Sequence, residues 1–390
     1  MKVDILYELD CPKPWAKPHP WGQREIEQRT YFEMLEQVKL ADKMGFATSW
    51  HVEHHFREGR SHSPAPEVTI GALSQVTEQI KLGFGVTLTP HRFTHPARVA
   101  EKVATADILS KGRVEWGIGR STPMEQASFG VDGGTSRESM LAAAHQVSEM
   151  WAAEYYECND EFLEFPRRMV TPKPWQDPHP PCWMATSSPG GATLAGKLGL
   201  GLLTFAVLRP VVAEGELGEQ ESVAAILKEY RAAGAEREPL TGVVNDRVAV
   251  HTLMHCAPSL ADAESYGIWD SVWWWYRSLV EFIMTWEMAE LPEEERANAF
   301  PLMNESASES WDPKRFNDED MIIVGDPERC YEKMLRYAEQ GVDHLICQVM
   351  FGGVPHEHVM RSIELMGTEV LPALARHGVE TEVAVRAGER

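Results

Sequence analysis

Two patterns of apolar and polar positions alternate along the chain, short apolar runs and helical spacing, and residues 81–121 contain both of them. Residues 81–88 and 114–118 are short apolar runs, which are typical of buried strands. Between them, apolar side chains recur with the three- and four-residue spacing of one helix face, at Val99, Val103, Ala106 and Leu109. The segment therefore predicts a βαβ unit with Gly119 and Arg120 at the end of its second strand. In α/β proteins, ligands bind at these strand ends.

The same alternation predicts strands and helices over the whole chain. The predicted strands cover 3–9, 46–52, 80–88, 113–118, 181–185, 202–205, 247–254 and 344–350. The predicted helices cover 29–44, 67–78, 96–109, 136–153, 192–198, 222–233, 261–290, 327–340 and 356–374. This single series, without a break in composition, favours an α/β fold of the (β/α)8 TIM-barrel type over an open doubly wound sheet. We expect one domain over 1–390, with insertions at about 157–180 and 265–320 and a tail at 378–390.

Composition and charge narrow the class of protein. The chain is 43% hydrophobic and carries a formal net charge of −22, which argues against nucleic acid or an anionic membrane as a partner. No apolar run is long enough for a membrane span, and charges interrupt the first ten residues where a signal peptide would be apolar. The six cysteines form no C-x-x-C pair, so neither a zinc site nor a disulfide framework is indicated. We expect a cytoplasmic protein.

The densest polar cluster is H-V-E-H-H, residues 51–55, at the end of the second predicted strand. Along a strand His51, Glu53 and His55 share one face, and His54 takes the other. The spacing matches none of the helical zinc motifs, whose ligands lie one turn apart. Three interpretations stay open from the residues alone: metal ligands, a structural network of hydrogen-bonded histidines, or a catalytic or ligand-binding site at the mouth of a barrel.

Two further stretches predict an anion site. T-S-S-P-G-G, residues 186–191, follows a predicted strand and opens a helix, where hydroxyls and backbone N–H groups bind anions. An ordinary helix cap is the alternative, because serine is common at helix starts. G-I-G-R, residues 117–120, adds a permanent cation at another strand end, so that both loops together predict a phosphate site. The third glycine of a dinucleotide-binding fingerprint is missing.

An aromatic concentration lies in the predicted helix 261–290. At helical spacing Trp269, Trp273 and Tyr276 share a face, which indicates packing in the core. Trp274 and Trp275 then point elsewhere and need a second apolar surface. A hydrophobic substrate pocket or a subunit interface would supply it.

Together these stretches resemble the bacterial luciferase-like flavin-dependent monooxygenases over most of the chain. The resemblance is carried by G-F-A-T-S-W-H-V-E-H-H-F (45–56), by H-P-A-R-V-A-E with S-K-G-R and G-I-G-R within 94–120, by A-T-S-S-P-G-G-A (185–192), and by V-G-D-P-E-R-C (324–330) with F-G-G-V-P-H-E (351–357). It implies a TIM barrel, usually a homodimer, that binds FMN at the carboxyl ends of the strands.

The resemblance also implies roles for particular residues. His54 matches the catalytic histidine of the family, and Gly85-Val86 matches a position that often holds a non-proline cis peptide behind the flavin ring. The implied cofactor-binding residues are Glu53, Gly85, Val86, Arg120, Ala185, Ser187, Ser188 and Gly191, of which Arg120, Ser187 and Ser188 match the phosphate cradle. Gly119 departs from the reactive cysteine of luciferase, which argues against light emission and against luciferase's aldehyde substrate. Ser187 replaces an acidic residue of luciferase.

The resemblance predicts the oxygenase component of a two-component system. A separate NAD(P)H:flavin reductase would supply reduced FMN, and dioxygen would form a flavin C4a-(hydro)peroxide that inserts one oxygen atom into a small hydrophobic organic substrate. The alternatives are a deazaflavin-dependent dehydrogenase of the same superfamily, a non-catalytic flavin-binding protein and, last, a metal hydrolase. No resident metal is expected.

Overall fold

Eleven strands are present in the computed structural model, which describes residues 1–18, 20–205, 222–279 and 312–379. In chain order they are β1 (Lys2–Tyr7), β2 (Thr48–His51), β3 (Lys81–Leu88), β4 (Val114–Gly119), β5 (Tyr156–Asn159), β6 (Glu164–Arg168), β7 (Cys182–Ala185), β8 (Gly201–Thr204), β9 (Val248–Cys256), β10 (Ile323–Gly325) and β11 (His344–Gln348). Eight parallel strands pair in the order β1, β2, β3, β4, β7, β8, β9, β11 and close back onto β1. The predicted TIM barrel is therefore confirmed.

Helices connect these strands and cover the outside of the barrel. In chain order they are α1 (Trp21–Met44), α2 (Pro66–Ser74), α3 (Pro96–Leu109), α4 (Pro123–Phe129), α5 (Ser136–Ala152), α6 (Pro189–Lys197), α7 (Val223–Ala233), α8 (Leu260–Ser265), α9 (Ile268–Leu279), α10 (Pro313–Asp318), α11 (Pro327–Glu339), α12 (His356–Leu365) and α13 (Leu371–Arg376). In the described part of the chain, none is both long and apolar enough to cross a membrane.

Several element boundaries differ from the sequence prediction. α1 begins eight residues before the predicted start, because its first two turns are mostly solvent-exposed and lack the apolar spacing of a core face. The predicted helix 261–290 divides at Gly267, whose φ of 78° is outside the helical region, and its last part lies outside the described residues. A π-helical turn, Met366–Val370, interrupts the predicted last helix. Helix α4 and strand β10 were missed because each is very short.

The insertion predicted at 157–180 contains an antiparallel hairpin of β5 and β6. A long loop leads from this hairpin to β7, so the segment lies between α5 and the next barrel strand. The predicted insertion at 265–320 and the tail at 378–390 lie in part outside the described residues. The hairpin is therefore the described segment of the chain that departs most from the alternation of strand and helix.

The inside of the barrel is packed with large side chains from alternate strand positions. They are Leu6, Trp50, Val52, Trp183, Leu203, Ala249 and Ile346, with Val86 and Ala185 against them. Trp50 and Trp183 meet edge to face with ring centroids 5.6 Å apart, an arrangement that aromatic pairs prefer. The barrel is therefore a filled core, and a ligand has room only at its ends.

Buried charges close the amino end of the barrel. The Glu115 carboxylate accepts hydrogen bonds from Trp183 Nε1 at 2.6 Å and Arg247 Nη2 at 3.1 Å, and it also pairs with Lys81. Burial alone would raise the pKa of Glu115, but the charges of Lys81 and Arg247 outweigh it and lower the pKa to about 2. Because this end is closed by a satisfied ionic network, the carboxyl end is the one left for chemistry.

Candidate active site at the barrel mouth

His54 lies just after β2, at the mouth of the barrel, with its side chain 20% exposed. Its Nδ1 is 3.3 Å from Oε1 of Glu125, a residue in the first turn of α4. Burial and the neighbouring Arg57 charge lower the pKa of His54, although Glu125 opposes them, so the imidazole is neutral at neutral pH. A neutral imidazole that donates from Nδ1 to a carboxylate has an unprotonated Nε2. This nitrogen can accept a proton.

Glu125 is the residue that fixes His54, and sequence reasoning missed it. Besides His54, its carboxylate accepts the backbone N–H of His55 at 2.6 Å, the Thr122 hydroxyl at 2.9 Å and Arg57 Nη2 at 3.2 Å. His54, Arg57 and the Ser121 hydroxyl outweigh burial and keep the pKa of Glu125 well below its ordinary value. The T-P-M-E capping box of α4 was the one signal in the sequence that pointed to a structured carboxylate here.

Glu53 is turned away from His54, as strand alternation predicted. Its Oε2 accepts the Leu88 backbone N–H at 3.0 Å and lies 3.7 Å from Lys102 Nζ on α3. A cavity of about 410 Å³ opens on this outer side of the barrel, with Glu53, Glu67 and Lys102 among its lining residues. The Glu53 carboxylate thus joins β2 to β3 and α3.

His51 and His55, the other histidines of the cluster, lie on the same side of the strand as Glu53. His51 is buried, its Nε2 is 3.0 Å from Ser49 Oγ, and its ring stacks on Tyr7. His55 Nε2 is 3.5 Å from Glu53 Oε1. Among the described residues no group of three or more His, Cys, Asp or Glu is arranged to hold a metal ion.

The Gly85-Val86 peptide bond is cis. The Val86 side chain packs against the barrel interior, and strand β4 passes directly beside it at Gly119. A Cβ atom at Gly119 would lie 2.4 Å from Val86 Cγ2, closer than any real contact. Gly119 is therefore required by this close approach.

The predicted phosphate loops are brought together by strand pairing. β4 pairs with β7 so that Ile118 lies opposite Met184, and the register places Arg120 beside Thr186 where both strands end. Arg120 is exposed at this edge, and its Nη1 donates to Ser136 Oγ at 3.2 Å, at the start of α5. The backbone of Arg120 is thus next to the loop that opens α6, and its guanidinium lies at the start of α5.

The loop from 185 to 191 presents hydroxyls and a helix start on this edge. Ser188 is the N-cap of α6, and its Oγ accepts the Gly191 N–H at 3.2 Å. Thr186 Oγ1 accepts the backbone N–H of Ser188 at 3.3 Å. Ser187 and Ser188 are exposed, while Ala185 packs on the top of the barrel interior. The loop is therefore a helix cap, as the alternative held, and its backbone lies beside that of Arg120 where the two strands end.

Six further residues form a polar cluster at the mouth that the sequence did not reveal. We call it the mouth cluster: Glu8, Asp10, Arg60, His251, Trp275 and Gln348. Arg60 pairs with both Glu8 and Asp10, and Gln348 Oε1 receives Trp275 Nε1 and His251 Nε2, each at 3.1 Å. The E-L-D run after β1 hinted at paired carboxylates, but nothing in the sequence indicated their partner fifty residues later.

The aromatic helix α9 contributes to this cluster in a way that corrects the prediction. Its buried face consists of Ile268, Val272 and Trp275, whereas Trp269, Trp273 and Tyr276 are half-buried. Trp275 is therefore the tryptophan of α9 that is buried in the core, where the sequence predicted Trp269 and Trp273. The helix turns Trp275 inwards because Arg60 and Gln348 supply partners for its ring and its N–H group.

An eight-stranded parallel barrel with a histidine–carboxylate pair and a serine-capped helix start at its carboxyl end defines an α/β-barrel protein, a fold in which ligands bind at the strand ends. The sequence model of the luciferase-like monooxygenase family matches residues 15–344. The chain belongs to this family.

Known relatives and a solved structure agree with that membership. The chain is 26% identical over 369 residues to the oxygenase component of a flavin-dependent trigonelline monooxygenase from Acinetobacter baylyi, covering 92% of this chain and 94% of that protein. It is 24% identical to an F420-dependent glucose-6-phosphate dehydrogenase from Microbacterium testaceum, covering 88% and 94%. The crystal structure of monooxygenase RslO1 from Streptomyces bottropensis superposes with a TM-score of 0.70 at 26% identity, covering 96% and 99%.

Proposed function

We propose that this protein is an FMN-dependent monooxygenase, the oxygenase component of a two-component system. The observation that carries the proposal is the convergence of three features on one rim of the barrel. These are the His54–Glu125 pair, the close contact of Gly119 with Val86, and the Arg120 edge beside the start of α6. The substrate is a small hydrophobic organic molecule, and dioxygen is the second reactant.

The residues present fit an FMN molecule. Arg120, Ser187 and Ser188 would hold the phosphate, because a guanidinium, two exposed hydroxyls and the start of α6 lie on one edge. Gly191 supports this loop through its hydrogen bond to Ser188. The glycine at 119 lets Val86 pack directly against β4, so that no side chain from this position projects at the rim.

The remaining predicted contacts surround the ring. Gly85, Val86 and Ala185 lie at the top of the barrel interior, where they would support the isoalloxazine. Glu53 would contribute through its backbone, because its carboxylate is bound to Leu88 and faces Lys102. All of these contacts come from the carboxyl ends of β2, β3 and β7.

Reduced FMN, when bound, would supply the electrons that reduce dioxygen, so that one oxygen atom enters the product and the other leaves as water. His54 then holds or accepts a proton at Nε2, since Glu125 keeps the other ring nitrogen protonated. The packed barrel interior beneath the site excludes water from one side of the reaction.

The proposal implies partners. A separate NAD(P)H:flavin reductase would supply reduced FMN in the cytoplasm. A homodimer is also part of the proposal, as the family resemblance implies. Sedimentation equilibrium tests this point, and a monomer at micromolar concentration would contradict it.

A deazaflavin-dependent dehydrogenase is the second candidate, favoured by the similarity to an F420-dependent dehydrogenase. The two functions differ in their use of oxygen. The proposed monooxygenase binds reduced FMN and consumes dioxygen when substrate is present, whereas the dehydrogenase binds F420 and consumes none.

The test is anaerobic titration with reduced FMN and with F420, followed by oxygen uptake across a set of hydrophobic substrates. Arg120→Ala should weaken FMN binding about 10- to 100-fold, the range for a charged phosphate contact. Arg361→Ala, an exposed arginine of α12, is the matched control and should leave binding unchanged. Preference for F420, or equal FMN affinity in the two variants, would contradict the proposal. FMN binding without oxidation of any substrate would leave a flavin-binding protein as the function.

A further inference from the structure

Arg60 is a fully buried cation whose guanidinium is hydrogen-bonded on one side only. Its side chain has 0% exposure, and its Nη1 alone pairs with Glu8 and with Asp10 Oδ1, the latter at 2.7 Å. The Nε and Nη2 atoms have no hydrogen-bond partner among the residues that the structure describes. A buried guanidinium normally satisfies its donors, because each unsatisfied one costs free energy. The open N–H groups therefore indicate a missing acceptor.

The two open donors are on the same edge of the guanidinium. Nε and Nη2 present parallel N–H groups, which match the two oxygens of one carboxylate in a bidentate pair. Nη1 at the opposite corner is occupied by Glu8 and Asp10. A single neutral acceptor would satisfy one N–H well and the other poorly, so the shape of the edge favours a carboxylate.

The position of Arg60 is held firmly by the backbone around it. The turn that carries it closes with a bridge between Arg57 and Ser61. Ser61 Oγ donates to the Glu8 carbonyl at 2.8 Å, and the Cys11 N–H donates to the Gly59 carbonyl at 2.9 Å. The turn is thus fastened to the segment that leaves β1, and the side chain is preorganised at the mouth.

Aromatic groups surround the same point. The Trp275 ring centroid is 5.0 Å from Arg60 Cζ, and His251 stacks against Trp275 at 6.0 Å. Phe205, at the end of β8, lies 4.8 Å from His251 and is 55% exposed. A flat apolar body could lie along these rings with its polar end directed at Arg60.

The charge balance of the cluster is compatible with an anion. Burial and the nearby Glu8 charge raise the pKa of Asp10 to about 7, even though Arg60 opposes them. Asp10 is therefore protonated in a large share of molecules at neutral pH, and the Arg60 charge is then matched by Glu8 alone. With a ligand carboxylate bound, Arg60, Glu8 and the ligand would then carry one net negative charge, which is one less than if Asp10 were ionised.

We propose that Arg60 selects the substrate of this protein by binding a carboxylate of that substrate on its Nε–Nη2 edge, with the aromatic or flat apolar body of the molecule against Trp275, His251 and Phe205. This assignment rests on the proposed function, because it makes the mouth cluster the substrate side of the monooxygenase site. It names the substrate class as aromatic or flat apolar carboxylic acids.

The test uses benzoate and benzamide as probes, which differ in the carboxylate and share the ring. Calorimetry on the wild-type protein, with and without FMN, should give at least tenfold tighter binding of benzoate, as expected for a bidentate charged pair. Arg60→Lys keeps the charge but removes the paired donors, and should abolish most of this preference. Arg113→Lys, a half-buried arginine whose donors bond to backbone carbonyls and to Thr77, is the matched control and should retain it.

Equal affinity for both probes in the wild type, or no benzoate binding at all, would overturn the assignment without any need for a variant. Retention of the preference in Arg60→Lys, with near-ultraviolet circular dichroism unchanged, would overturn it as well. Failure of the wild type to bind FMN would refute the proposed function alone, because the benzoate preference is also measured without FMN.

Discussion

Replacing Glu125 by glutamine tests whether the Glu125 carboxylate sets the tautomer of His54. The substitution keeps the size of the side chain and removes its charge. An amide can donate a hydrogen bond to His54 Nδ1, which a carboxylate cannot do. The His54 proton would then move to Nε2, and the nitrogen that faces the reaction would lose its capacity to accept a proton.

The magnitude follows from the contacts that Glu125 makes. General acid–base catalysis contributes about 10²- to 10⁴-fold to rates, and removing the carboxylate partner of a catalytic histidine costs about 10⁴-fold in a serine protease. We therefore expect product formation to fall by about 10²- to 10⁴-fold. The variant also leaves the buried Arg57 guanidinium without its carboxylate partner, which costs about 3–5 kcal/mol of stability.

The assay measures product and hydrogen peroxide in parallel with supplied reduced FMN. We expect the product to fall. The FMN affinity should stay within about twofold, because Arg120 is unchanged and the loss of even one hydrogen bond to FMN would lower the affinity by about twofold or more. Glu67→Gln, on α2 and outside the mouth, is the matched control. Product formation within threefold of the wild type, in a variant that folds, would refute the role of Glu125 in fixing the His54 tautomer.

Three other predictions concern single positions. His54→Ala should abolish product formation while reduced FMN still binds; unchanged turnover would rule out His54 as the catalytic residue. Gly119→Ala should lower the unfolding free energy by about 1–3 kcal/mol because of the Val86 contact, and Val86→Ala in the same chain should restore it. Glu115 stabilises the fold above pH 4.5, and this stabilisation, about 3 kcal/mol, is lost as the pH falls towards 2. In chemical denaturation Glu115→Gln should therefore be less stable at pH 7 and less sensitive to acid; an unchanged acid profile would contradict this.

The sequence alone was sufficient for the architecture and for the residues that carry the family likeness. Alternating apolar runs and helix faces predicted eight strand–helix units, and α3 was predicted with its observed bounds. That success has a local cause, because strand and helix periods are set by neighbouring residues. His54, Arg120 and Ser188 were named by the family resemblance, and each follows a predicted strand, whose ends meet at one rim of a barrel; their roles stay predictions.

Only the tertiary structure decided which side chains work together. Glu125 reaches His54 across 71 positions of the chain, and Gln348 reaches His251 across 97. Arg60 meets Asp10 across 50 positions, in a turn with no periodic pattern of its own. Such partners are brought together by closure of the barrel and by the packing of α4 and α9 on its mouth, which local patterns do not specify. The sequence by itself therefore determined a barrel and a rim of candidate residues, whereas the fold determined the protonation of His54 and the open edge of Arg60.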